Sequence, residues 1–151
     1  ENYSGFIKTL MQNDIEGMNY YMNEISLQMF SYFDTGTQPS ARSHPEKFYH
    51  GFVLGLIVEL RNRYVITSNR ESGFGRYDIM MEPLHGEDDA IVIEFKVFNP
   101  QKEQSLSDTL TSALAQIEEK QYEQTLVAKG IQKQRIRKYG FAFEGKTVLI
   151  G

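Results

Sequence analysis

Arg76-Tyr77-Asp78-Ile79-Met80-Met81-Glu82 and, beyond an acidic loop of His85, Gly86, Glu87, Asp88 and Asp89, Ala90-Ile91-Val92-Ile93-Glu94-Phe95-Lys96-Val97-Phe98 read as two strands of one hairpin. The second run is apolar, β-branched or aromatic except at Glu94 and Lys96, the pattern of a strand covered on both faces. An isolated charge in such a place costs several kcal/mol or more, so a chain keeps one there only if it is paired or binds a cation. Side chains alternate along a strand, so Glu94 and Lys96 share a face, roughly 7 Å apart. Asp78 joins them only if it lies opposite an even-numbered residue such as 94 or 96, or if a bulge corrects the register.

If it does, two carboxylates and one lysine converge. Two carboxylates at one spot repel unless a divalent cation lies between them, and hard oxygen ligands select Mg2+ or Mn2+. A lysine beside such a metal orients or deprotonates a water, and the metal neutralises charge building on a phosphoryl group, which suggests hydrolysis of a phosphodiester. The bland alternative is a surface Glu-x-Lys ion pair worth almost nothing.

Composition fits one ordinary domain. The 151 residues suffice for one core, with 40% hydrophobic and 13% aromatic residues. The absence of cysteine removes disulfides, zinc thiolate sites and cysteine nucleophiles, and fits a reducing cytoplasm. Neither a membrane-spanning run nor a signal peptide is visible. The chain begins at Glu1, and we expect a fragment of a longer protein. A net charge of −4 opposes binding driven mainly by phosphate contacts. The local exception is Lys129, Lys133, Arg135, Arg137 and Lys138, which reads either as a solvated helix end and loop or as a surface for a nucleic-acid backbone.

Along the chain, Phe6, Leu10, Ile15, Met18, Met22, Ile25 and Met29 recur at helical spacing, with a break at Asn13 and Asp14, which predicts two helices. A loop from Asp34 ends at Pro45, where Ser43 or His44 caps a nearly all-apolar helix over 46–61. On it Gly51, Gly55 and Glu59 form one stripe, which suggests close approach to a sheet. Glu59 then either reaches water from the last turn or delivers a third carboxylate. His50 reads as packed or capping. Tyr64–Thr67 reads as a first strand. Asn69 to Gly75 is a polar connection in which Gly73 and Gly75 permit close contact with a ligand, and Arg70, Glu71 and Arg76 flank the site. Ser105 or Ser107 opens one long helix to about Lys129, with Gln116 and Lys120 on the border of its buried stripe. Lys138–Phe143 and Thr147–Ile150 close a mixed sheet through a crossover.

At Asp78, Glu94 and Lys96 the chain resembles the PD-(D/E)XK nuclease superfamily, whose pattern is an aspartate on one strand and Glu-x-Lys on the next. Phe48–Gly55, the string from Ser68 to Asp78, Ala113–Ile117 and Tyr139–Lys146 also resemble one branch of it, a bacterial nuclease-like domain found behind an ATPase-like domain. Tyr77 stands before the aspartate in place of proline.

The resemblance implies an α/β, restriction-endonuclease-like three-layer sandwich, a mixed central sheet flanked by helices. Residues 45–151 would form this domain, and 1–44 a helical extension or linker from a missing upstream domain. It implies a metal-dependent nuclease, with DNA ahead of RNA as substrate. Asp78, Glu94 and the Phe95 carbonyl would hold Mg2+ or Mn2+, and Glu59 would complete or support that set. Lys96 would position the attacking water, and Gln116 would orient the group or the scissile phosphate. Expected partners are nucleic acid, the upstream ATPase-like domain and a second copy of the chain, without a membrane. The rival from another class is a catalytically silent binding or regulatory module serving that ATPase-like domain.

Overall fold

Alternation along strands sends odd and even residues to opposite faces of a sheet, and this chain uses the two faces for different work. In the computed structural model the described residues are 1–34, 45–71 and 76–151, with side chains described outside 30–34, 45, 46, 70, 71, 76 and 77. The expected loop with its caps Ser43 and His44, the glycines Gly73 and Gly75, and the side chains of Arg70, Glu71 and Arg76 lie outside the described residues. In order the elements are α1 (Asn2–Met11), α2 (Ile15–Asp34), α3 (Pro45–Ile57), a 3-10 turn (Val58–Asn62), β1 (Tyr64–Glu71), β2 (Arg76–Pro83), β3 (Ala90–Val97), α4 (Leu106–Glu119), α5 (Tyr122–Ala128), a 3-10 turn (Lys133–Arg135), β4 (Ile136–Glu144) and β5 (Thr147–Ile150).

The five strands lie in chain order, antiparallel except for β3 and β4, which are parallel across the connection through α4 and α5. This is the expected mixed sheet of an α/β sandwich. Ile79, Met81, Ile91, Ile93, Phe95, Tyr139, Phe141 and Phe143 face one side and share a core with Phe6, Leu10, Met18, Met22, Ile25, Tyr49, Val53 and Ile57 of the first three helices. The segment that sequence sets apart as an extension thus packs on this face. On the other side, Met80, Ala90 and Val92 meet Ile117 and Leu126 of α4 and α5.

Asn13 adopts a positive φ of 56°, and Asp14 Oδ1 accepts the Gly17 N–H at 3.0 Å, so the predicted break between α1 and α2 is present. α2 also closes one sheet edge. Asn19 exchanges hydrogen bonds with the backbone of Ile150, and Asn23 with that of Val148, at 2.8–2.9 Å, taking the place of a sixth strand.

Three expectations need correction. The helix from Pro45 ends at Ile57, and Gly51, Gly55 and Glu59 are exposed, with nothing within 4 Å of a Cβ placed at either glycine. The stripe points away from the sheet because Tyr49, Val53 and Ile57, two residues off it, carry the apolar contact. The first strand runs on to Glu71, because it pairs along the whole of β2. The long helix is two helices. Gln121, with φ 58° and ψ 34°, is left-handed and breaks it.

Candidate active site

The register decides where the charges meet. Asn69, Asp78, Glu94 and Gly140 pair in a row across β1 to β4, and residues directly opposite one another share a face. Asp78 therefore stands beside Glu94 without any bulge, on the side covered by α4 and α5. The two side chains are 1% and 0% exposed. Opposed carboxylates so placed repel, with Cβ atoms about 5 Å apart, and need a positive partner.

Lys120 supplies it. Its Nζ lies 2.9 Å from Asp78 Oδ2 and 3.2 Å from Glu94 Oε1, with only 11% of the side chain exposed. Burial by itself would lower the lysine's pKa, but the hydrogen bond to Asp78 and the charges of Glu94 and Asp78 outweigh it and hold the ammonium above its usual range. The Tyr122 hydroxyl donates to the same Asp78 oxygen, and burial together with that bond pushes the phenol well above its ordinary value. Asn69 touches Tyr122 from β1.

Residues two apart on a continuous helix point to different sides, so Lys120 and Tyr122 could not both reach Asp78 from one helix. The left-handed Gln121 between them turns the chain, and both do. A Cβ at Gly140, at the end of the row, would come within 2.7 Å of Leu110 Cδ1, so glycine there lets α4 sit close over the site.

Lys96 shares this face, but its nearest acid is Glu103, 3.4 Å away. Glu103 Oε1 accepts from the Asn99 N–H and the Thr109 hydroxyl, both at 2.8 Å. Burial works against its ionisation, yet these two bonds and Lys96 hold its pKa below the usual range. Gln116 is half-buried one turn before Lys120 and makes no side-chain hydrogen bond among the described residues. The Phe95 ring is turned into the opposite core, against His50, Phe141 and Phe143, and its backbone lies between β2 and β4. His50 is buried and shares a 2.8 Å hydrogen bond with Ser68 Oγ.

The structure thus brings together Asp78 and Glu94, with Lys96 further along the same face, and does not bring Glu59 to them. α3 lies over the other face, Glu59 is exposed, and among the described residues no three acids or histidines gather closely enough to hold a metal. The pair suits a cation on one count. Asp78 Oδ1 is buried and has no hydrogen-bond partner among the described residues. A divalent ion on the two carboxylates would satisfy it with the hard oxygen donors such ions take.

The basic run is already used. Lys129 pairs with Glu82, Arg135 and Arg137 with Asp89, Lys133 with Glu123, and Lys138 with Glu118 and Glu123. Arg137 also donates to the carbonyls of Leu10 and Met11 at the end of α1. No described helix is long and apolar enough to cross a membrane.

Sequence reasoning placed Lys120 beside Gln116, where the resemblance leads one to expect a tyrosine, and noted Tyr122 two residues on without giving either a role; it set Asn69 in a connection and passed over Glu103. Only Asn69 left a signal, since extending β1 by two residues sets it opposite Asp78. A family model, described as the PD-(D/E)XK nuclease superfamily, matches residues 44–151. No curated protein and no solved structure matches the chain.

Proposed function

The chain belongs to the PD-(D/E)XK nuclease superfamily, and we propose that it hydrolyses phosphodiester bonds of nucleic acid with the help of a divalent metal. The observation that carries this is the direct pairing of Asp78 with Glu94 on the neighbouring inner strands β2 and β3, both carboxylates buried on one face with Lys96 two residues on. On this reading Asp78, Glu94 and the Phe95 carbonyl hold Mg2+ or Mn2+. The ion, when bound, lowers the pKa of a water and neutralises charge on the phosphoryl group. Lys96 positions that water, with Glu103 fixing where the lysine points. Gln116, on the helix over the site, orients the substrate phosphate. Glu59 is left outside this set because it faces away.

DNA in preference to RNA, and an upstream ATPase-like domain as partner, rest on the sequence resemblance alone. The second reading, a silent binding or regulatory module, is favoured by one observation: an ammonium already lies against both carboxylates.

Cleavage of plasmid and single-stranded DNA in Mn2+ tests the proposal, comparing the chain with Lys96→Ala and Glu94→Gln. Activity that falls by 100-fold or more in both variants is the expected result, in line with loss of a positioned catalytic group. Equal cleavage by all three sinks the assignment. If all are inert while Mn2+ still binds, the module reading stands instead.

A further inference from the structure

We infer that Lys120 is a built-in counter-ion at the proposed metal position, lying across Asp78 and Glu94 until a divalent cation displaces it. The inference rests on the metal reading above and adds a competitor for the site within the chain.

The geometry carries it. A single ammonium approaches an oxygen of each carboxylate, at 2.9 and 3.2 Å. A Mg2+ ion bridging the same groups would sit about 2.1 Å from its oxygens. Two cations so placed would lie within a few ångströms of each other in a buried space, where their repulsion is poorly screened. They therefore exclude one another.

The remaining oxygen of Asp78, buried and without a hydrogen bond among the described residues, would be open to a divalent ion while the lysine still holds the other. The Tyr122 hydroxyl holds the other oxygen, which fixes the carboxylate plane and keeps it in place when the lysine leaves. Lys120 also has a way out. It is the last residue before the left-handed Gln121, 11% of its side chain already meets solvent, and a lysine's four-carbon stem has the rotatable bonds to swing the ammonium outward. The remaining members of the site, Lys96 and Glu103, are paired with each other and do not contend for the same oxygens.

Two measurements on the whole chain test this. The first is Mn2+ affinity by calorimetry for wild type and Lys120→Gln, which keeps a polar side chain but removes the charge. Affinity should rise at least tenfold in the variant. The second needs no variant and decides the matter alone should Lys120→Gln fail to fold. Competitive acylation of wild-type lysines, read by peptide mass, is run in EDTA and in saturating Mg2+, with the exposed Lys133 as internal reference. Lys120 should label slowly in EDTA and at least five times faster with Mg2+.

Unchanged labelling, or a variant that binds no more tightly than wild type, overturns the inference. Where wild type still binds Mn2+ in that case, the metal reading itself survives. Binding by neither protein removes both, whereas binding by Lys120→Gln alone supports both.

Discussion

Removing the charge of Lys120 should cost far more than removing a surface lysine, and neutralising Asp78 at the same time should recover part of the loss. The ammonium lies 2.9 Å from a carboxylate that is 1% exposed and 3.2 Å from one that is fully buried. Breaking a buried pair by deleting one partner typically costs about 3–5 kcal/mol, because the other charge is left uncompensated. Lys120→Met in EDTA should therefore lose about 3–4 kcal/mol, a large share of the roughly 5–15 kcal/mol of a small domain. Asp78→Asn leaves Lys120 with Glu94 and keeps an acceptor for Tyr122, so about 1–2 kcal/mol is expected. The double variant buries one carboxylate where Lys120→Met buries two. It should be about 2 kcal/mol more stable than the sum of the singles predicts. Urea denaturation at neutral pH, with midpoint and slope both fitted, measures all four corners of the cycle. Additivity within about 0.5 kcal/mol would refute the reasoning, because residues in real contact do not behave independently.

Three further outcomes follow from other parts of the molecule. Gln121→Gly should raise stability by up to about 1 kcal/mol, since glycine enters the left-handed region without the Cβ clash that glutamine carries, and a drop in thermal midpoint would count against the break at that residue. Asp89 is pulled upward by burial, but the guanidinium groups of Arg135 and Arg137 outweigh this and hold its pKa below the usual range. A depressed folded pKa adds stability that is present above the unfolded value and is lost as pH falls through the folded one. Melting temperature should therefore fall steeply below about pH 4, and Asp89→Asn should flatten that slope. Finally, residues 45–151 alone should not melt cooperatively. Phe6, Leu10, Met18, Met22 and Ile25 are fully buried, and at about 1.5–3 kcal/mol each their loss approaches the whole stability of a domain. A sharp calorimetric transition of the shortened chain near that of the full one would contradict this.

The strands around the site were legible as β-branched and apolar runs carrying Asp78, Glu94 and Lys96, whereas their register was not, because nothing in the spacing says which residue stands opposite Asp78. Once Asp78 pairs with Glu94, every even residue of β2 and β3 turns toward α4 and α5. The helix break was not legible. Lys120-Gln121-Tyr122 contains no glycine, proline or asparagine, so nothing local marks a left-handed residue, and tertiary contacts to Asp78 select it. Glu59 misled for a related reason. A four-residue stripe with Gly51 and Gly55 fits close packing as well as it fits an open face, and the choice belongs to neighbours that the local spacing does not reveal. The basic run hid its partners in the same way, because Glu82, Asp89, Glu118 and Glu123 are distant in sequence.

The two faces of the sheet also explain how the chain tolerates its charges. On the side of Asp78, Glu94 and Lys120 the cluster of buried apolar residues is small, made of Met80, Ala90, Val92, Ile117 and Leu126. The opposite side carries the aromatic stack of Tyr49, Phe143 and Phe95 and the stripes of three helices. Burial there is worth several times more at ordinary transfer energies, so it offsets the desolvation of the charged row. The first two helices belong to this arrangement as much as the strands do, since they supply much of that apolar face and also occupy the backbone of β5 through Asn19 and Asn23. The charged face is thereby free to be set by chemistry, because the other face holds the sheet together.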